Sequence, residues 1–598
     1  MDITTKPQSP ALTLREFFSE TYSVPDYQRF FAWGSEEIEQ LFSDLQEFFH
    51  SDNPYYFMGQ VIVSSSSSVE KYDLVDGQQR ATALLLLLIA IRDRFEQHPE
   101  KETDLTLKMW LSELTLLLVW SSGESKVTPR VKVAGNGGEL VSALLNRTDR
   151  PPIDGPTREN IVGAFEELTG RLEREFPDIT DIPRLYRRLV DGVILVRLEL
   201  KGHEEAIGVF ERINNRGLPL TSADLIKNTL FAKVSNEDYE TVSEDWQKTS
   251  EILYSTRRAR ITQIGYLLRA MLVGETGILT TDKALRDKWG ERLTDRKSAL
   301  QFASSLPIRA TELKTINEGV CPSDRRVHDL NEGTKFFRFI QYYPILLAAT
   351  RLNPISYEYL SRLLENRSML SVLASERSQD FEKLVPGCSL AVRQLDEKCS
   401  IQEVFKASSD YLNELNNLLD RVDANIKTWR YTNQAERKRL RYVLARINRS
   451  QLIALKEPNV PKLLDYLRRP KSAGKKAHGY DLDHIRPQSK YGHLDLTHSI
   501  GNLAFVSEVD QRSCGDKEPI AKTSIYRHSL MVFTQSLASE PVAKKRRLES
   551  IERIRSLTPK NEPILSLTTW SDNSIINLQH VYTESLKADF RQVLANPT

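Results

Sequence analysis

Apolar and polar positions alternate along this chain with two periods, and each period marks an element. Ile38, Leu41, Phe42 and Leu45 recur at helical spacing behind Ser35, the expected N-cap. Before them, Thr13 and Glu16 form a capping box for a short helix through LREFFSE. Residues 55–64 and 72–75 read as two strands joined through a serine run at 64–68. The apolar run at 83–91, bounded by Arg80 and Arg92, is too short to cross a bilayer and reads as a buried helix. Strict alternation at 195–200 predicts another strand, while 121–156, rich in Gly, Pro and Asn, reads as loops. From about 238 to 423 the period is repeatedly helical, at 252–272, 336–352, 357–365 and 404–419, with no fixed-length repeat. A basic helix at 435–448 carries Leu440, Val443, Leu444 and Ile447 on one face. The pattern predicts a multidomain α+β protein divided at 1–235, 236–423 and 424–598.

Composition narrows the class. The 598 residues are 27% charged and 40% hydrophobic, which excludes a disordered chain. Lys and Arg number 82 against 81 Asp and Glu, so any case for nucleic acid has to be local. Residues 424–490 supply it, with 17 Lys or Arg against 5 Asp or Glu. Arg437 and Arg439 there, and Lys522 further on, are the expected DNA-phosphate contacts, because cations supply most nonspecific affinity. Cys321, Cys388, Cys399 and Cys514 are scattered without a Cys-x-x-Cys spacing, which supports neither a disulfide framework nor a structural zinc site. With no apolar segment behind a basic start, a cytoplasmic location is expected.

Two stretches carry chemistry. Residues 76–80 read DGQQR between a predicted strand and a predicted helix. A glycine turn at a helix start presents free N–H groups to an anion, and Arg80 would add a bidentate phosphate contact. The second stretch, from residue 481, reads DLDHIRPQSK. Successive strand residues face opposite sides, so Asp483 and His484 offer a carboxylate to a hard cation on one face and a neutral imidazole to water on the other. Gly501 and Asn502 then lead into a second strand, and Ser507 into a helix. His493, His498 and His528 lie close by and read as ordinary surface or core histidines.

The order DHIRPQS, GNL, helix resembles the HNH endonucleases and their ββα-metal module. That resemblance implies His484 as general base, Asn502 as the residue that orients it, and Asp483 as a ligand of Mg²⁺ or Mn²⁺. The family's third motif falls here on Gln511, with Asp510 beside it, which leaves the third ligand open between the two. Near the start of the chain, VPDYQRFFAW at 24–33, Gly59, VDGQQR at 75–80 and FERINNRGLPLTSADLIKN at 210–228 together resemble the ParB-like, sulfiredoxin-fold nucleotidase domain of the GmrSD family. By that resemblance Asp76 and Arg80 act on a nucleoside triphosphate such as GTP. Tyr27, Gln28, Arg29, Gly77, Gln78, Gln79, Asn214, Asn215 and Lys227 border it.

The two ends together resemble fused GmrSD enzymes, the type IV, modification-dependent restriction endonucleases of anti-phage defence. The expected partners are double-stranded DNA, in particular modified phage DNA, a nucleotide and, as an open alternative, a second copy of the chain; no membrane is expected. Two competing readings stay open: a nucleotide-gated DNA-binding protein with an inactive HNH module, and a nucleotidase or kinase whose chemistry lies at the first site.

Overall fold

A computed structural model of the chain describes residues 11–25, 28, 30–65, 70–121, 127–200, 221–258, 261–279, 281–468, 479–559 and 567–595. The chain divides into two compact units, residues 1–269 with 280–311, and residues 270–279 with 312–598. Among the described residues no helix is long and apolar enough to cross a membrane.

The first unit is built on a six-stranded mixed sheet. Its strands are β1 (Ala11–Thr13), β2 (Tyr22–Ser23), β3 (Tyr56–Ser65), β4 (Tyr72–Asp76), β5 (Val131–Lys132) and β6 (Val193–Leu200), in the order β1-β6-β3-β4-β2-β5. The expected hairpin is there as the antiparallel β3–β4 pair, and β3 also runs parallel to β6. The Thr13 capping box forms on α1 (Leu14–Phe17). In α2 (Ser35–His50) the stripe Ile38, Leu41, Phe42, Leu45 is buried as its period requires. Its cap is Gly34 rather than Ser35, because the Glu37 carboxylate reaches back to the Gly34 N–H at 2.8 Å. The helix α3 (Gln78–Phe95) is buried on all sides from Ala81 to Arg92, which explains why its apolar run shows no stripe.

The stretch expected to be loops at 121–156 contains β5 and a helix, Gly137–Asn146. Leu140, Val141, Leu144 and Leu145, one helical face, are all buried there. The glycines and asparagine that suggested loops sit at that helix's first residues and ends. Two later helices complete the elements used below: α4 (Pro156–Glu175) and α5 (Ser222–Phe231), the latter capped by Thr221 with Asp224.

The second unit is mainly helical around one two-stranded ribbon. Helix α6 (Gln434–Ala454) buries Leu440, Val443, Leu444 and Ile447 as expected, but Arg441 and Arg446 are buried as well. Arg441 donates to the Asp481 carboxylate at 2.9 Å and Arg446 to Asp589 at 2.6 Å. Part of this helix's positive charge is therefore structural. The ribbon pairs β7 (Tyr480–His484) antiparallel with β8 (Leu503–Ser507), in a register that sets His484 opposite Leu503 and Asp483 opposite Ala504. Helices α7 (Glu508–Cys514), α8 (Pro519–Tyr526) and α9 (Asp572–Leu594) follow. Gly501 lies so close to α9 that a methyl group there would sit 1.9 Å from the Ile575 carbonyl oxygen. That close approach explains the glycine before Asn502.

Candidate functional sites

In the first unit, β4 ends at Asp76 and α3 begins at Gln78, with Gly77 between them at φ +86°. A side chain at Gly77 would also meet Val61 Cγ1 at 2.6 Å. Left-handed strain and overpacking add, so Gly77→Ala is expected to cost about 2 kcal/mol or more in urea denaturation. A loss under about 0.5 kcal/mol would show that the turn tolerates an L side chain.

The residues after this glycine divide by task. Gln79 accepts the Ala32 N–H at 2.7 Å and donates to the Phe30 carbonyl at 3.1 Å, clamping the incoming segment. Arg80 donates to the carbonyls of Met58 and Gln60 at 3.1 and 2.9 Å. Both were expected on the ligand, and both instead fasten backbone: Gln79 holds the segment at 30–32, and Arg80 caps carbonyls of β3. Burial pushes the Asp76 carboxyl up, against the Gly77 N–H and the Arg80 guanidinium, which pull it down.

Gln28, Gln78 and Lys227 do converge. All three are buried, Gln78 Nε2 lies 3.4 Å from Gln28 Oε1, and Lys227 Nζ donates to the Gln28 carbonyl at 3.0 Å. The ammonium lies 4.1 Å from the centre of the Phe30 ring and near Phe231 and Trp246. Among the described residues, Gln28 Nε2 and Gln78 Oε1 have no hydrogen-bond partner. Buried amide groups without partners are costly, so this corner fits a polar, anionic ligand. Tyr27, Arg29, Asn214 and Asn215 lie outside the described residues.

The second site is a ββα arrangement made by β7, β8 and α7. His484 is partly buried, and its Nε2 is buried without a partner among the described residues. Burial first, then His498, Lys522 and Arg437, lowers its pKa from 6.5 to about 4, so the ring is neutral at neutral pH. Asn502 is fully buried and bonds backbone rather than the imidazole. Its Oδ1 accepts from the Arg486 N–H at 2.9 Å, and its Nδ2 donates to the carbonyls of Arg486 and Thr497 at 3.0 and 2.9 Å. Trp570 Nε1 also donates to Asn502 Oδ1, at 3.2 Å. Asn502 is thus a positioning residue that holds the loop leaving β7.

Asp483 and Lys522 correct the expectation more sharply. The Asp483 carboxylate points inward, where Oδ2 accepts from Lys522 Nζ at 2.9 Å and Tyr526 Oη at 2.5 Å. Lys522 has a side-chain exposure of 0% and also donates to the His484 carbonyl at 2.6 Å. It is therefore not a DNA contact: an ammonium enclosed by protein cannot reach a phosphate. Asp510 and Gln511 stand half-exposed on α7, and no hydrogen bond joins either side chain to Asp483 among the described residues. No cluster of three His, Cys, Asp or Glu able to hold a metal occurs among the described residues. The donors as arranged do not fit a divalent cation, since the one buried carboxylate already faces an ammonium. Arg437 and Arg439 are half-buried against Tyr431 and Trp429, with their guanidinium carbons 4.4 and 5.6 Å from the ring centres.

The structure thus holds two candidate sites, a buried polar corner beneath a strand–glycine–helix turn and a neutral histidine on a ββα ribbon. Residues 14–231 match the family described as GmrSD restriction endonuclease, N-terminal domain. Over those residues the chain is similar to the N-terminal domain of GmrSD-type restriction endonucleases. No curated protein matches it.

Proposed function

We propose that this protein is a DNA endonuclease of bacterial anti-phage defence, selective for modified DNA, in which a nucleoside triphosphate bound by the first unit governs phosphodiester cleavage by the second. The observation that carries the reading is His484: a neutral imidazole whose buried Nε2 has no partner among the described residues, on the first strand of a ββα ribbon, in a chain whose residues 14–231 match a restriction endonuclease N-terminal domain. Such a nitrogen takes a proton from water as the water oxygen attacks phosphorus. Gln28, Gln78 and Lys227 would hold the triphosphate, with the ammonium on its charge and the two amides on its polar edges. The helical stretch at 236–423 would couple the two events.

The test is cleavage of paired phage DNAs, with and without modified cytosines, in Mg²⁺, in Mn²⁺ or in chelator, with and without GTP. Cutting confined to modified DNA and changed by GTP is the expected result. The ion pair between Asp483 and Lys522 favours a second reading, a nucleotide-gated DNA-binding protein with an inert ribbon. DNA binding without cutting in every condition would establish that one instead.

A further inference from the structure

Two residues that the motifs leave without a task form the walls around His484. The Tyr431 ring lies 4.9 Å from the His484 ring, centre to centre, with the planes 88° apart. The His498 ring lies 5.9 Å away at 85°. With two rings packed nearly perpendicular to it at these distances, the imidazole is confined by aromatic contacts on two sides, which favour one orientation about χ2.

The walls are tied to each other and to the fold. The Tyr431 N–H donates to the His498 carbonyl at 2.8 Å. Behind Tyr431, Arg437 lies over the ring at 4.4 Å, and its Nε donates to the Tyr431 carbonyl at 2.9 Å. Behind His498, ring Nε2 faces the Gly492 carbonyl at 3.0 Å, so that nitrogen carries the proton. Asn502 grips the carbonyl of the preceding residue, Thr497. His498 is only 9% exposed, and its Nδ1 has no partner among the described residues.

We propose that Tyr431 and His498 are positioning residues for His484, fixing the plane of its imidazole so that Nε2 is held in one place. The contact uses the tyrosine ring and not its hydroxyl. Arg437, expected on DNA, acts here through Tyr431.

This inference rests on the nuclease reading, so its test has two arms. In cleavage kinetics with wild type and His484→Ala as references, Tyr431→Ala and His498→Ala are expected to lower kcat by up to about 100-fold with KM for DNA unchanged, as misplacement of a reacting group does. Tyr431→Phe should restore wild-type kcat. Wild-type kcat in both alanine variants, beside an inactive His484→Ala, would overturn the proposal and leave the nuclease reading standing. An equal loss in Tyr431→Phe would overturn it too, by showing that the hydroxyl matters. The second arm needs no cleavage: in ¹³C-histidine NMR, the His484 ring signal should move and broaden in Tyr431→Ala but not in Tyr431→Phe. If no wild-type cutting is found, an unmoved signal in Tyr431→Ala sinks the proposal by itself.

Discussion

His484→Ala is expected to lower DNA cleavage by about two to four orders of magnitude, the usual contribution of a general base, while DNA binding persists. The imidazole is poised for this because burial, reinforced by His498, Lys522 and Arg437, holds it neutral down to a pKa of about 4. In the free enzyme, kcat/KM should therefore fall only as pH drops through about 4, rather than near the ordinary histidine value. A bound phosphate, being anionic, raises that pKa and strengthens the base as substrate arrives. The same shift acts on stability. The folded pKa lies below the unfolded 6.5, so the unfolded chain takes up the proton first. The contribution is complete above pH 6.5 and lost as pH falls through about 4, amounting to roughly 3 kcal/mol. His484→Ala should lack that slope in denaturation measured from pH 7 to 4. Undiminished cleavage by the variant would remove His484 from the chemistry, and an identical stability slope would assign the shift to another group.

What the sequence discloses here depends on range. Periodicity reads local burial, so α2, the β3–β4 hairpin and the apolar face of α6 follow from residue spacing alone. The ribbon and helix around His484 follow from motif order, since β7, β8 and α7 lie within 35 residues of one another. Charge misleads where a partner is distant in sequence. Lys522 reads as a surface cation because its carboxylate, Asp483, lies 39 residues away. Arg80 reads as a phosphate ligand because its real partners are backbone carbonyls, which no side-chain pattern records. Tyr431 and His498 carry no local signal at all. His498 stands four residues before Asn502, but only the fold shows that its ring meets His484. Glycine and asparagine in residues 135–138 suggested a loop; the four apolar residues that follow at helical spacing were the better guide.

The inward pair gives the second large effect. Lys522→Met keeps the length of the side chain and removes its charge, leaving Asp483 at 3% exposure with the Tyr526 hydroxyl as its remaining strong donor. Breaking a buried pair from one side is expected to destabilise the second unit by about 3–5 kcal/mol at neutral pH. The pH dependence follows from the carboxyl. Burial already raises the Asp483 pKa and Lys522 pulls it back, so removing Lys522 raises it further above the unfolded value of 3.8. A raised carboxyl pKa favours the folded state fully below 3.8 and loses that advantage as pH rises through the folded value, so the variant should be least impaired in acid and most impaired at pH 7. Asp483→Asn combined with Lys522→Met removes both charges and should recover much of the loss, because the cost lies in the uncompensated carboxylate rather than in the missing attraction. Urea denaturation of wild type, single and double variants at pH 4 and 7 checks all of this. A lysine on the DNA would behave differently: stability would be unchanged, and DNA affinity would fall with about one unit less salt slope. That outcome would return Lys522 to the surface role its charge suggested and free the Asp483 carboxylate for a cation.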